Sequence, residues 1–138
     1  MDLDYLVSEI NKALIPFEEI LFVYLYGSMI KEVKGVGRDV DVALYLDHDL
    51  IEPSLYPAHI SGIIESHLTE NKLVDVRVLN HQTLRFQFRV IKEGIIVLSR
   101  DDEKRVNYES RVTLDYLDVK PYLDYYDSMT IRRLAGED

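Results

Sequence analysis

Two short segments of this chain alternate strictly between apolar and charged residues, and that alternation narrows the folds open to it. Over Asp39 to Leu46, Asp39 and Asp41 fall on one side and Val40 and Val42 on the other. Over Leu73 to Leu79, Val74, Val76 and Val78 stand opposite Asp75 and Arg77. Successive side chains of a strand point to opposite faces, so each segment reads as a strand with one apolar and one charged face. A third segment, Ile20 to Tyr26, is apolar or aromatic throughout and stops at Gly27, which reads as a buried strand. Ile95 to Leu98, after Gly94, reads as a short fourth.

Helical patterns lie between them. Leu3, Leu6, Val7, Ile10 and Leu14 recur at helical spacing over 3–15, and Pro16 ends the run. Ser28 suits the N-cap of a short helix through Met29, Ile30 and Val33, and Lys34-Gly-Val-Gly-Arg38 reads as a loop. After a polar connection with Pro53, Pro57 to Leu68 turns Ile60, Ile63, Ile64 and Leu68 inward. His81 to Ile91 reads as a helix. Asp101 or Asp102 caps a long C-terminal one, which Pro121 is expected to kink or restart. This order predicts an α/β (α+β) fold, a small mixed sheet flanked by helices. At 138 residues, a single domain spanning 1–138 is expected.

Composition excludes several chemistries. With no cysteine there is no thiolate zinc site, iron–sulfur cluster or thiol nucleophile. Sixteen Lys and Arg against 25 Asp and Glu give a net charge of −9, which argues against gripping a nucleic-acid backbone. The N-terminus lacks the basic start and apolar core of a signal peptide, and Ile20–Tyr26 is too short to span a membrane. A soluble, cytoplasmic protein is expected. His48, His59, His67 and His81 are scattered, without the spacing of a metal site.

Three observations point to a reaction. Gly27-Ser28, between a strand and a helix, would present backbone N–H groups and a hydroxyl to an anion. Asp39 and Asp41, at i and i+2, would leave one face together and repel unless a divalent cation lay between them. Such hard oxygen ligands suit Mg²⁺ or Mn²⁺ with substrate phosphates completing the shell. If the Asp75 strand lies beside the Asp41 strand, a third carboxylate joins them. It could bind a second ion and accept the proton of an attacking hydroxyl.

The pattern Gly27-Ser28-x10-Asp39-x-Asp41, with Asp75 in a later strand, resembles the signature of the DNA polymerase β-type nucleotidyltransferases. The small size resembles their minimal nucleotidyltransferase (MNT) branch, the antitoxins paired with HEPN-domain toxins. Phe88 to Leu98, Tyr108-Glu109 and Tyr116 to Pro121 are similar to the tail of those antitoxins, so the resemblance covers nearly the whole chain. It implies that Gly27 and Ser28 hold the β- and γ-phosphates of ATP, and that Asp39 and Asp41 bind two Mg²⁺. Asp75 would complete one metal site and help deprotonate the acceptor. It further implies transfer of AMP to a tyrosine hydroxyl of a cognate HEPN RNase toxin in a hetero-oligomer. A binding-only antitoxin and nucleotidyl transfer to a small molecule are the alternatives.

The chain departs from the family's pattern at Arg38, where a small residue is common. It also has Glu32 in place of a frequent glycine, with Gly35 and Gly37 further along the loop. Arg38 reaches a phosphate or lies in solvent; Lys31 and Lys34 pose the same choice. Arg77 shares the face of Asp75 and pairs with it or contacts nucleotide. Asp115 to Asp127 holds four aspartates and four tyrosines. It is an amphipathic helix with wet hydroxyls or, as the partner-facing part of 101–130, a docking surface for a basic toxin.

Overall fold

A computed structural model of the chain describes residues 2–27, 30, 39–47 and 54–136. Four strands form one sheet: β1 (Ile20–Tyr26), β2 (Val40–Leu46), β3 (Val74–Val78) and β4 (Ile95–Ser99). Their order across the sheet is β3-β2-β1-β4. β1 runs antiparallel to both β2 and β4, while β2 and β3 are parallel, so the sheet is mixed as expected.

The strand periodicity divides the interior in two. Val23 and Leu25 of β1, Val40, Val42 and Leu44 of β2 and the three valines of β3 bury against Leu6, Ile10, Leu14, Ile60 and Ile64. Those five project from α1 (Leu3–Leu14) and α2 (Tyr56–His67). The other face carries Phe22, Tyr24, Tyr26 and Ala43, covered by Leu79, Val90, Tyr108 and Val112. Val90 belongs to α3 (Leu84–Glu93), and Tyr108 and Val112 to α4 (Asp102–Leu134). β1 is therefore buried on both sides, which is why its sequence shows no polar alternation.

Local chemistry fixes the element ends. Asp2 caps α1 by accepting the Tyr5 N–H at 2.7 Å, and Asp101 caps α4 by accepting the Lys104 N–H at 3.0 Å. β2 opens at Val40, so Asp39 stands at its mouth and not within it; the Val40 N–H donates to Leu73 at 3.0 Å.

The helix expected from His81 starts later. Leu79–His81 is a single 3₁₀ turn and Thr83 caps α3, its hydroxyl accepting the Phe86 N–H at 3.2 Å. Asn80 keeps the turn out of the helix, because its side-chain amide brackets the backbone of Leu46 with two 2.9 Å bonds. α4 runs 33 residues and does not restart at Pro121. The proline withholds an N–H from the Leu117 carbonyl, but this stretch is exposed and water can serve that carbonyl instead.

Arg100 locks the sheet to α1. Its guanidinium donates to the carbonyls of Leu14 (3.0 Å), Ile15 (2.6 Å), Phe17 (3.1 Å) and Ile20 (2.6 Å). Two of these lie at the end of α1, where carbonyls lack helical donors. A lysine is a point donor and cannot span this set. Arg100→Lys is therefore expected to lower stability by about 1–3 kcal/mol, measured by denaturant unfolding with an unchanged slope.

Candidate active site

The charged faces of β2 and β3 lie on the α3/α4 side of the sheet, because Asp41 alternates with Val40 and Val42 and Asp75 with Val74 and Val76. Register brings the key residues into one row. Tyr26 of β1 pairs with Asp41 of β2, and Asp41 pairs with Asp75 of β3. Neighbouring strands lie about 4.8 Å apart, so the two carboxylates leave adjacent backbones on the same face. Asp39 is exposed at the head of β2, Asp41 is half-buried and Asp75 is exposed.

The electrostatics show that these groups feel one another. The Asp41 carboxyl is held above its ordinary pKa, chiefly by burial, then by the negative charge of Asp75 and, more weakly, of Asp39. Arg77 and Arg89 act in the opposite direction. The Tyr26 phenol is pushed up to about 12 by burial and by Asp41, so it stays protonated at neutral pH. Phe86 meets the edge of the Tyr26 ring at 5.6 Å between centroids, and Arg77 lies over Phe86 at 5.4 Å. Arg77 Nε also reaches Asp75 Oδ2 at 3.3 Å.

Gly27 closes the row. Its φ of +83° is a left-handed conformation that side chains disfavour. A Cβ there would overlap Asp41 Oδ2. The residue after β1 must be glycine for the Asp41 carboxylate to lie where it does. The Gly27 carbonyl accepts the Ile30 N–H at 3.2 Å. Ser28 and Arg38 lie outside the described residues, as do Lys31 and Lys34.

The arrangement fits a divalent cation in its donor chemistry. It offers only carboxylate oxygens, mutually repelling, and the bare Gly27 backbone makes room for the Asp41 carboxylate at the end of the row. Among the described residues no three His, Asp or Glu side chains already close around one point, and Asp75 is turned to Arg77. Tyr26, Phe86 and Arg89 are site neighbours that no local pattern marked. Strand register and the packing of α3 bring them there.

The family model described as "Polymerase beta, Nucleotidyltransferase" matches residues 8–103, well over half of the chain. The chain belongs to the polymerase beta nucleotidyltransferase family. No curated protein matches it in sequence. Among solved structures, a chain from the complex of tri-AMPylated Shewanella oneidensis HEPN toxin with MNT antitoxin superposes with a TM-score of 0.73. It is 14% identical, over 93% of this chain and 98% of that one. A toxin–antitoxin structure with AMP-PNP gives 0.75 at 14% identity, over 91% and 98%. The toxin–antitoxin MntA-HepT gives 0.72 at 13%, over 93% and 98%. At such identities the likeness is one of fold. Its coverage reaches beyond residue 103, so much of α4 is part of the shared architecture.

Proposed function

We propose that this chain is an MNT-type antitoxin that transfers AMP from ATP to a tyrosine hydroxyl of a cognate HEPN RNase toxin and so neutralises it. The observation that carries this reading is the pairing of Asp41 with Asp75 on one sheet face beside the side-chain-free turn at Gly27. The solved relatives of like fold include a complex with an AMPylated HEPN toxin and one with an ATP analogue, which supports both acceptor and donor.

Asp39, Asp41 and Asp75 would hold two Mg²⁺ ions, or Mn²⁺, which when bound supply charge neutralisation for phosphoryl transfer. Gly27 lets the triphosphate approach the backbone closely, with Ser28 and Arg38 as further phosphate contacts. The tyrosine oxygen bonds to the α-phosphorus as the α–β phosphoanhydride bond breaks, and pyrophosphate leaves. The phenolic proton passes to Asp75, the carboxylate at the open edge of the row. Positioning and charge stabilisation carry such a reaction, so the chain needs no nucleophile of its own.

The whole chain, 1–138, acts as one nucleotidyltransferase domain with α4 facing the toxin. Tyr108 and Val112 of α4 are buried against the sheet, whereas Tyr122, Tyr125, Tyr126 and Ile131 are each more than 60% exposed. Asp118, Asp124 and Asp127 lie along the same stretch, Asp124 paired with Lys120 at 2.6 Å and Asp127 with Arg85 at 3.1 Å, and such exposed, exchangeable pairs suit a basic, RNA-cleaving partner. Tyr122→Ser/Tyr126→Ser is expected to weaken the complex by about ten- to a hundredfold by calorimetry with no change in Tm. Among the described residues no helix is long and apolar enough to cross a membrane. The reading places the reaction in the cytoplasm, where ATP and the toxin's RNA substrates are found.

The test uses ATP labelled at one phosphate. Label at the α position should move onto the toxin and label at the γ position should not. Transfer of the γ label would show a kinase, and transfer of neither would remove the catalytic reading.

A further inference from the structure

Arg77 occupies an unusual place for a surface cation. It stands two residues after Asp75 on the same strand face, in the row next to the Asp41–Asp75 pair. Its Nε makes the 3.3 Å contact to Asp75 Oδ2, and its guanidinium carbon rests 5.4 Å from the centre of the Phe86 ring. Phe86 in turn abuts Tyr26, the register partner of Asp41. The guanidinium is thus seated on an aromatic platform at the edge of the site. Among the described residues nothing accepts a hydrogen bond from its two terminal nitrogens. A guanidinium has five donors in a planar fork, so Arg77 can hold a phosphate as well as, or in place of, the Asp75 carboxylate.

We propose that Arg77 serves as the counter-ion of Asp75 when no cation is bound and exchanges onto the nucleotide's phosphates when a divalent cation takes Asp75. The proposal rests on the reading of Asp39, Asp41 and Asp75 as cation ligands. The physical case is one of competition. Asp75 has one carboxylate, and Arg77 and a divalent cation both need it. The ion pair is half-exposed, with side-chain exposures of 50% and 52%, and such pairs are weak enough for a divalent ion to displace. Phe86 keeps the released guanidinium beside the site, so its charge remains available to a triphosphate.

Mn²⁺ binding, followed by electron paramagnetic resonance without nucleotide, separates the outcomes. Arg77→Met removes the competitor and its like charge, so Mn²⁺ should bind about three- to tenfold tighter than to the wild type. Arg77→Lys keeps the charge and should stay near the wild type. In the presence of Mg²⁺, Arg77→Met should raise the KM for ATP about tenfold with a much smaller change in kcat, and Arg77→Lys should recover part of that loss. Arg77 is half-exposed, and thermal melts of all three proteins check that they are equally folded. Unchanged or weaker Mn²⁺ binding by Arg77→Met overturns the exchange while leaving the active site in place. Absence of Mn²⁺ binding by the wild type removes the cation reading itself and the exchange with it.

Discussion

Asp41→Asn is expected to abolish AMP transfer while leaving the protein at least as stable as the wild type. The two effects share one cause. Asp41 is partly buried between Tyr26 and Asp75, and its ionised form is disfavoured there by burial and by neighbouring acids. Asparagine has nearly the same shape without the charge, so the repulsion disappears. In the proposed role of Asp41 as a cation ligand, activity needs that charge, because a neutral amide binds a hard divalent cation far less well. Several kcal/mol of transition-state stabilisation should go with it, at about 1.4 kcal/mol per factor of ten, so the rate should fall by a thousandfold or more.

The stability effect carries a pH signature. The folded state holds the Asp41 proton more tightly than the unfolded chain does, so the stability contributed by protonated Asp41 is present below the ordinary carboxylate pKa and is lost as the pH rises through the raised one. The Tm of Asp41→Asn should therefore equal or exceed that of the wild type at neutral pH, and the two should converge in acid. A variant that melts well below the wild type at neutral pH would contradict this picture of the site.

Gly27→Ala is expected to damage both fold and reaction. The left-handed backbone at φ +83° costs a non-glycine residue about 1–2 kcal/mol. The added methyl would also overlap Asp41 Oδ2, with the Asp41 Cγ only 3.2 Å away, so the carboxylate must move. Displacing a ligand by about an ångström is enough to lower turnover by about a hundredfold. Denaturation should show a loss of about 1–3 kcal/mol. The informative comparison is with Asp41→Asn/Gly27→Ala. Once the charge is gone, the methyl should cost no further activity, whereas its stability cost should persist, because asparagine fills the same space.

What could be read in the chain followed from burial on one face at a time. β2 and β3 declared themselves because valines alternate with acids, and β1 because both its faces are covered. Leu6, Ile10 and Leu14 marked α1 for the same reason. The residues that group around Asp41 were harder. Asp75 was legible only on condition that β3 lay beside β2, and parallel pairing is a long-range fact with no local signature. Tyr26, Phe86 and Arg89 join the site through register and the packing of α3, which periodicity does not encode. α3 starts later than its local pattern predicts because Asn80 commits its side chain to the backbone of Leu46, thirty-four positions away. Pro121 predicts a kink or a restart by a sound local rule, and the restart does not occur because exposure on α4 leaves the orphaned carbonyl to water.

The central claim is that this site adds AMP to a protein tyrosine. The most direct measurement is the intact mass of a cognate HEPN-type toxin after incubation with the chain, ATP and Mg²⁺. Mass increments equal to whole AMP units are expected, located by fragmentation on tyrosine and absent when the chain carries Asp41→Asn. A toxin that is bound tightly and neutralised while its mass stays unchanged would contradict the account and leave neutralisation by binding alone.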